Sequence, residues 1–390
     1  KEQSVLRDFL VTISKISSDY YTKEIENVNE FLAESEKNIS KVTERRKVGD
    51  FQTSREVAGA LATELQALKS TNSDDEVTGT PTGFPKLNQI THGFHKGELI
   101  ILAARPGVGK TALALNLAYN ASSRGNLPVA YFSLEMPATM LFKRLVSQDA
   151  EVKFDSLVTG YGLDKNTRLK LQQGCERLAS QKIYVDDTSG IKLLDLVAKC
   201  KKLKAKEPDL GLIVVDYIGL VTTSGKTKAE SRQLEVQMIS QTLKKLAMDL
   251  DVPVIGVAQL NRNVESRGGE PQLSDLRESG SIEQDADLVL MIHETKLESG
   301  TKQTKGTRPN VFDQQEKLAL EAKNKIAGAN GDETKLVTVF VRKNRAGRTG
   351  KVRMLFRKDF CKFEQLSEEA NTQMDEIDAE VSQYISSDEN

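Results

Sequence analysis

The chain has 390 residues, 38% of them hydrophobic and 28% charged, as expected of a globular protein with one large domain or two ordinary ones. Its 55 basic and 56 acidic residues give a formal charge of -1, which excludes a uniformly basic nucleic-acid-binding protein but not a local basic surface. No stretch approaches the roughly 20 apolar residues of a membrane helix, and no signal peptide begins the chain, so we expect a cytoplasmic protein without a membrane partner.

Residues 1–69 are predicted to be helical, because they lack proline and their apolar residues recur at helical spacing. A second helix in this region is predicted to begin with Ser54 as its N-cap. The first helix carries an apolar stripe that is typical of helix-on-helix packing, formed by Ile25, Val28, Leu32, Ile39 and Val42. Two interpretations stay open: a surface helix of its own domain, or a detached helix that docks on a neighbouring subunit.

After a polar boundary at about residues 70–97, apolar runs alternate with amphipathic helices. Continuous apolar strands separated by helices indicate an α/β fold with a mostly parallel sheet and helices on both faces. Two later runs flank the turn-rich "NRAGRTG", which predicts a hairpin at the sheet edge. The predicted parallel strands are "ELIILAA", "LPVAYFSL", "KIYVDD", "LGLIVVDYIGLV", "VPVIGVAQL" and "ADLVLMIH".

The stretch "LIILAARPGVGKTALALNLA", beginning at Leu99, matches a phosphate-binding loop except that Ala104 replaces the first glycine of G-x-x-x-x-G-K-[ST]. Its position after an apolar strand and before a helix is the setting that this motif requires, and Ala104 is tolerated if its φ is negative. The motif predicts ATP as ligand, with Lys110 on the phosphates and Thr111 on Mg²⁺. The predicted ATP-binding residues of the loop are Arg105, Pro106, Gly107, Val108, Gly109, Lys110 and Thr111.

Three further polar residues follow apolar strands and are expected at the same sheet edge. Asp216 ends "LIVVD" and is a candidate Mg²⁺ ligand, although a strand-end aspartate also caps turns. Glu135 is a candidate for orienting the attacking water, and Gln259 ends a later strand. Each of them is a common strand-end residue when taken alone, so the prediction depends on their convergence with the loop.

Taken together these motifs resemble the DnaB-type hexameric replicative DNA helicases, which have a RecA-like motor domain. The resemblance runs from about Thr22 to Gln365 and includes "TGTPTGFPKLNQITHGFHKGELIILAARPGVGKTA", "YFSLEM", "DDTSGI", "VVDYIGLV", "AQLNR" and "LSDLRESGSIEQDADLVL". Ala104 agrees with the pattern of that family. The resemblance therefore implies a RecA-like P-loop NTPase, preceded by helical linker segments.

The resemblance also implies catalytic roles. Glu135 resembles the residue that activates the hydrolytic water, and Gln259 resembles a γ-phosphate sensor. "VRKNRAGRTG" is similar to the family segment that inserts a lysine and an arginine into the next subunit's site, here Lys343 and Arg345. The sequence of this turn alone indicates only a hairpin with solvated basic residues.

Single-stranded DNA is the partner that the resemblance implies for two loops. "LSDLRESGSIEQDADLVL" is similar to a channel loop that holds the phosphate backbone, with Arg277, Glu278 and Gly280 as candidates. "GKTKAESRQLEVQ" resembles the other channel loop and adds Arg232, although a solvated loop before a helix explains it equally well.

The resemblance divides the chain into five segments. Residues 1–21 are expected to be a remnant of an N-terminal helical domain, 22–78 linker helices, 79–366 the ATPase domain with a flexible insertion at 294–334, and 367–390 a disordered acidic tail.

The implied function is an ATP-driven 5'-to-3' helicase that works as a homo-hexamer at the replication fork, with primase and a helicase loader as partners. A RecA-like recombinase or regulatory ATPase that does not unwind DNA, and a non-catalytic assembly subunit, are the alternatives.

Overall fold

The computed structural model describes residues 2–22, 28–45, 53–69, 77–222, 231–262, 264, 270–276, 280–294 and 333–376. The chain divides into two compact units, Lys1–Asp74 and Asp75–Asn390. Most of the predicted insertion at 294–334 lies outside the described residues. Within the described ranges, no helix is both long enough and apolar enough to cross a membrane.

The first unit contains three helices among its described residues, α1 (Glu2–Thr22), α2 (Val28–Arg45) and α3 (Ser54–Lys69). The predicted helix from Thr22 is thus wrong at its start, because α1 ends at Thr22 and α2 begins at Val28. Val28 is 64% exposed and Leu32 is 54% exposed, so the described residues of this unit leave that part of the apolar stripe uncovered.

The start of α3 differs slightly from the prediction. The helix begins at Ser54, but its cap is the preceding Thr53. The backbone N–H of Thr53 donates to Glu56 Oε2 at 2.7 Å, and the backbone N–H of Glu56 donates to Thr53 Oγ1 at 3.4 Å. This reciprocal pair is a capping box, in which a Thr-x-x-Glu pattern satisfies two backbone donors that the helix cannot.

The described residues of the second unit form a nine-stranded sheet with the order β3-β2-β4-β5-β1-β6-β7-β8-β9. Strands β1 to β6 are parallel, and β7 to β9 extend one edge in antiparallel fashion. All six predicted parallel strands are confirmed. The strands are β1 (Leu99–Ala104), β2 (Val129–Ser133), β3 (Ile183–Asp186), β4 (Leu212–Asp216), β5 (Val254–Gln259), β6 (Leu288–Glu294), β7 (Thr334–Asn344), β8 (Gly350–Arg357) and β9 (Lys362–Gln365).

Helices cover both faces of the sheet, which confirms the predicted α/β architecture. Ile100 and Leu102 of β1 point to one face, which is covered by helices that include α5 and α6, whereas Ile101 points to the other, which is covered by α9 and α10. Burial on both faces explains why β1 is apolar throughout. The helices of this unit are α4 (Pro85–Thr91), α5 (Lys110–Ser123), α6 (Ala138–Ala150), α7 (Phe154–Thr159), α8 (Lys165–Ala179), α9 (Leu193–Lys206), α10 (Ser231–Leu250) and α11 (Gly280–Asp285).

The antiparallel edge confirms the predicted hairpin and corrects the expectation for the residues after its first strand. The run "KVRMLFRKDFCKFEQL" forms two strands, β8 and β9, because the chain turns at residues 358–361, where Cys361 has a φ of 52°. The predicted disordered tail begins instead with a helix over residues 368–376. Met374 of this helix is buried with Leu336 and Leu355, and that apolar contact explains its order. Residues 377–390 lie outside the described residues.

Candidate nucleotide site and the opposite sheet edge

The loop between β1 and α5 has the backbone geometry of an anion-binding turn. Gly107 and Gly109 have φ angles of 78° and 109°, in the region that favours glycine. A Cβ on Gly109 would lie 3.0 Å from the ring of Phe363, so this glycine is also required by packing. Ala104 lies within β1 and does not have a positive φ, as predicted, and therefore alanine is tolerated there. The first backbone N–H groups of α5 have no acceptor within the helix and are available to phosphate.

Side chains of the loop residues point to neighbouring strand ends. The Arg105 guanidinium donates through Nη1 to the carbonyl of Leu260, 2.9 Å away, just after β5. The ammonium of Lys110 lies over the ring of Tyr217, with Nζ 4.3 Å from the ring centroid. This cation–π contact holds the lysine next to the end of β4, where Asp216 lies.

Asp216 is almost fully buried at the end of β4. The hydroxyl of Tyr131 donates to its Oδ2 at 3.0 Å, and its buried Oδ1 has no hydrogen-bond partner among the described residues. Burial raises the pKa of Asp216 above the ordinary carboxyl value, and Glu135 adds to that rise. The Thr111 hydroxyl and the charge of Lys110 act in the opposite direction.

The residues at this position fit a magnesium ion. An orphaned carboxylate oxygen beside a threonine hydroxyl offers the hard oxygen ligands that Mg²⁺ prefers. Within the described part of the chain, no group of three or more His, Cys, Asp or Glu residues could hold a metal. That agrees with Mg²⁺ chemistry, since this ion is usually held by one or two side chains together with phosphate and water.

Glu135 and Gln259 lie at the same edge of the sheet, as predicted from their strand ends. Gln259 is the last residue of β5, and its Cα is paired with that of Ala104 at the end of β1. Glu135 follows β2 by two residues and is exposed, and its charge acts on the carboxyl group of Asp216. The ends of β1, β2, β4 and β5 thus gather the predicted phosphate, metal and water-orienting residues.

The sequence prediction missed Tyr131 and Tyr217. Tyr131 is fully buried within β2, and burial raises the pKa of its hydroxyl well above the ordinary value. A tyrosine in an otherwise apolar core strand is itself a signal, because a buried hydroxyl requires a hydrogen-bond partner. Which partner it finds depends on the pairing of β2 with β4, and the sequence alone does not give that register.

Lys343 and Arg345 lie at the opposite edge of the sheet, at the amino ends of the parallel strands. Asn344 pairs with Leu288 at the start of β6, and Leu288 pairs with Ile100 near the start of β1. The six residues of β1 span about 20 Å, so this turn is too far away to reach the loop of its own subunit.

The predicted DNA-binding residues are only partly described. Arg277 and Glu278 lie outside the described residues. Arg232 lies in the first turn of α10, with its side chain outside the described part, and Gly280 is the first residue of α11. Asp275, nearby, is buried and accepts a hydrogen bond from the backbone N–H of Gln272 at 2.7 Å.

The chain is similar to known helicases along most of its length. The family model for the DnaB-like helicase C terminal domain matches residues 79–365. The chain is 38% identical to the replicative DNA helicase DnaB of Geobacillus stearothermophilus over 364 residues, which cover 93% of this chain and 72% of that protein. The replicative DNA helicase DnaC of Bacillus subtilis (strain 168) gives the same identity and coverage.

Two solved structures have a similar fold. One is an ATPase domain with a TM-score of 0.66 and 28% identity, covering 82% of this chain and 100% of that one. The other is a DnaB-like replicative helicase, described with its interactions with primase, with a TM-score of 0.70 and 26% identity, covering 94% of this chain and 77% of that one.

Proposed function

Because this chain belongs to the DnaB-like helicase family and is a replicative DNA helicase with a RecA-like ATPase domain, we propose that it works as a homo-hexameric ring that moves 5'-to-3' on single-stranded DNA. ATP hydrolysis drives this movement at the replication fork, in the cytoplasm. The family match favours this function over the recombinase and assembly-subunit alternatives.

The observation that carries the proposal is the convergence of polar residues at the carboxyl ends of β1, β2, β4 and β5. Lys110 and the first N–H groups of α5 bind the phosphates. Glu135 orients and polarises the attacking water, and Gln259 contacts the γ-phosphate. Thr111 and Asp216 would hold Mg²⁺, which neutralises negative charge on the phosphate oxygens.

The far position of Lys343 and Arg345 supports a ring. Because these residues are at the amino ends of the strands, they can act only in a site of a neighbouring subunit. A head-to-tail interface that repeats between identical subunits closes into a ring when its rotation allows closure. We therefore assign Lys343 and Arg345 to the γ-phosphate of the next subunit, where they stabilise the charge of the transition state.

The proposed partners are those of the same family. Arg232, Arg277, Glu278 and Gly280 are proposed to contact the phosphate backbone of single-stranded DNA, which suits a motor that must ignore sequence. A chain with near-zero net charge can still line a channel with several copies of a local basic surface. Primase and a helicase loader are proposed as protein partners, in line with the relative that is described with primase.

The variant Glu135→Gln tests the function directly. It keeps the size of the side chain but removes the base, so we expect DNA-stimulated ATP hydrolysis to fall by about 10²- to 10⁴-fold while ATP still binds. Fork unwinding should be lost in parallel. Glu176→Gln, an exposed change on α8, is the matched control. Wild-type rates of hydrolysis and unwinding in Glu135→Gln would exclude the proposed mechanism.

A further inference from the structure

Four polar residues form a hydrogen-bonded group between α10, α11 and the start of β6. We call Ser240, Lys244, Asp285 and Asp287 the relay. The Ser240 hydroxyl donates to Asp285 Oδ2 at 2.6 Å, which joins α10 to α11. The Lys244 ammonium donates to Asp287 Oδ2 at 2.7 Å and to the carbonyl of Gly97 at 2.9 Å.

The relay and α11 hold the two basic residues that we assign to the next subunit's site. Asp287 Oδ1 accepts a hydrogen bond from Arg345 Nη1 at 3.1 Å, and the backbone N–H of Arg345 donates to the Asp287 carbonyl at 2.9 Å. Arg345 Nη2 donates to the carbonyl of Gln284 at 2.7 Å, and Lys343 Nζ donates to that of Glu283 at 2.6 Å. The position of α11 therefore sets the position of both cations.

Both candidate channel loops lead directly into the helices of the relay. Residues 223–230 precede α10, which carries Ser240 and Lys244 four residues apart on one face. Residues 277–279 precede α11, a helix of six residues and therefore about 9 Å long. The carbonyls that hold Lys343 and Arg345 lie within one turn of the first residue of α11.

Burial makes this group a stiff connection. Ser240 is 1% exposed and Asp287 is 7% exposed. Asp287 also accepts a hydrogen bond from the backbone N–H of Leu99 at 2.8 Å, which fixes it to the start of β1. Buried polar groups whose hydrogen bonds are made resist separate movement, because each broken bond leaves an unsatisfied group in a low-dielectric interior.

We propose that Ser240, Lys244, Asp285 and Asp287 are positioning residues that couple DNA in the channel to the placement of Lys343 and Arg345 in the neighbouring nucleotide site. This proposal rests on the proposed helicase function. Strand binding at either loop moves α10 or α11, and the relay carries that movement to the two cations. Since coupling between binding sites is reciprocal, occupancy of the neighbouring nucleotide site changes the affinity for DNA through the same contacts.

The variant Ser240→Ala removes the bond between α10 and α11 with the smallest possible change. We expect the ratio of DNA-stimulated to DNA-free ATP hydrolysis to fall by about fivefold, a coupling loss of the usual size for linked sites, while the Kd for oligo-dT stays within about twofold. Ser147→Ala is the matched control, because Ser147 is also buried on a helix and donates at 2.6 Å, to the carbonyl of Val152, on the other face of the sheet. This control should keep the wild-type ratio.

A double-mutant cycle separates the relay from general loosening of the structure. If Ser240 and Asp285 act through one bond, Ser240→Ala combined with Asp285→Ala lowers the ratio no further than the larger single change does. Multiplicative effects would contradict a shared contact. If Ser240→Ala melts early, Lys244→Met and Lys244→Arg provide a second test, in which Met lowers the ratio and Arg restores most of it by keeping the charge beside Asp287.

The outcomes distinguish the two proposals. A wild-type ring whose hydrolysis is not stimulated by oligo-dT would overturn the proposed function, and the relay with it. A stimulated wild-type ring whose ratio is unchanged in Ser240→Ala and Lys244→Met would overturn the relay alone. A ratio lowered in both variants and unchanged in Ser147→Ala supports the relay.

Discussion

The two edges of the sheet hold their charged side chains in different states. At the carboxyl edge, Asp216 keeps a buried oxygen without a partner among the described residues, and Lys110 lies on an aromatic ring. At the amino edge, Asp287 accepts hydrogen bonds from three neighbours, and Lys343 and Arg345 both donate to backbone carbonyls. The first edge is ready for a ligand, whereas the second is satisfied within its own subunit.

This difference indicates how one chain can carry two complementary halves of a site. An orphaned carboxylate oxygen is costly when buried, so its presence at the carboxyl edge points to a ligand that satisfies it. The basic residues at the amino edge exchange protein acceptors for phosphate oxygens when a neighbour presents them. Exchange between acceptors of similar strength has a small net free energy, which suits a contact that must form and break in each cycle.

The largest expected effect is at the amino edge. Arg345→Ala should lower the kcat of ATP hydrolysis by about 10³- to 10⁵-fold, because it removes the positive charge nearest the transferred phosphoryl group. Its fold should be retained, since the Arg345 side chain is about half exposed and Asp287 keeps its bond to Lys244.

Steady-state hydrolysis with oligo-dT measures this effect. Arg348→Ala is the matched control, because Arg348 is exposed in the same turn. Equal losses in the two variants would show that the turn as a whole, rather than Arg345, is required, and no loss in Arg345→Ala would remove the amino edge from the site.

A smaller effect compares two glycines within the carboxyl edge. Gly109→Ala should destabilise the protein by about 1–3 kcal/mol, because it combines a strained φ with a Cβ only 3.0 Å from the Phe363 ring. Gly107→Ala has a positive φ but open space around its Cβ, and should lose about 1 kcal/mol. Urea unfolding of both variants measures the difference. Equal losses would indicate that Phe363 moves away without cost.

The smallest expected effect is a stability gain from Asp216→Asn. The folded-state pKa of Asp216 is raised by burial, so the ionised side chain weakens the folded state at alkaline pH, and this weakening disappears as pH falls through the raised pKa toward the ordinary carboxyl value. Asn keeps an oxygen for the Tyr131 hydroxyl and removes the buried charge.

Unfolding free energies at about pH 8 and about pH 5 provide the comparison. The gain of Asp216→Asn over wild type should be larger at the higher pH. Asp209→Asn, an exposed change shortly before β4, is the control. A gain that grows toward acid pH would contradict the assigned sign.

The carboxyl edge could be predicted almost completely from sequence. Its loop is one continuous motif, and each of Glu135, Asp216 and Gln259 follows an apolar run whose end can be seen in the sequence. Because parallel strands point in one direction, their carboxyl ends meet whatever the strand order is, so the convergence needed no knowledge of the topology.

The amino edge could not be predicted in the same way. The contacts of Lys343 and Arg345 depend on the register of β7 against β6 and on carbonyl groups of α11, which carry no sequence signal. The helix at 368–376 was missed for a related reason, because its acidic composition masks the single buried Met374 that docks it.

The central claim is that each nucleotide site is completed by the neighbouring subunit, and mixing two inactive variants tests it most directly. Lys110→Ala and Arg345→Ala are combined in equal amounts, ring assembly is checked by native mass, and hydrolysis with oligo-dT is measured. Random assembly leaves about one interface in four with both an intact lysine and an intact arginine, so activity should recover to roughly that fraction of wild type. Mixed rings that assemble but stay at the level of the single variants would contradict the claim.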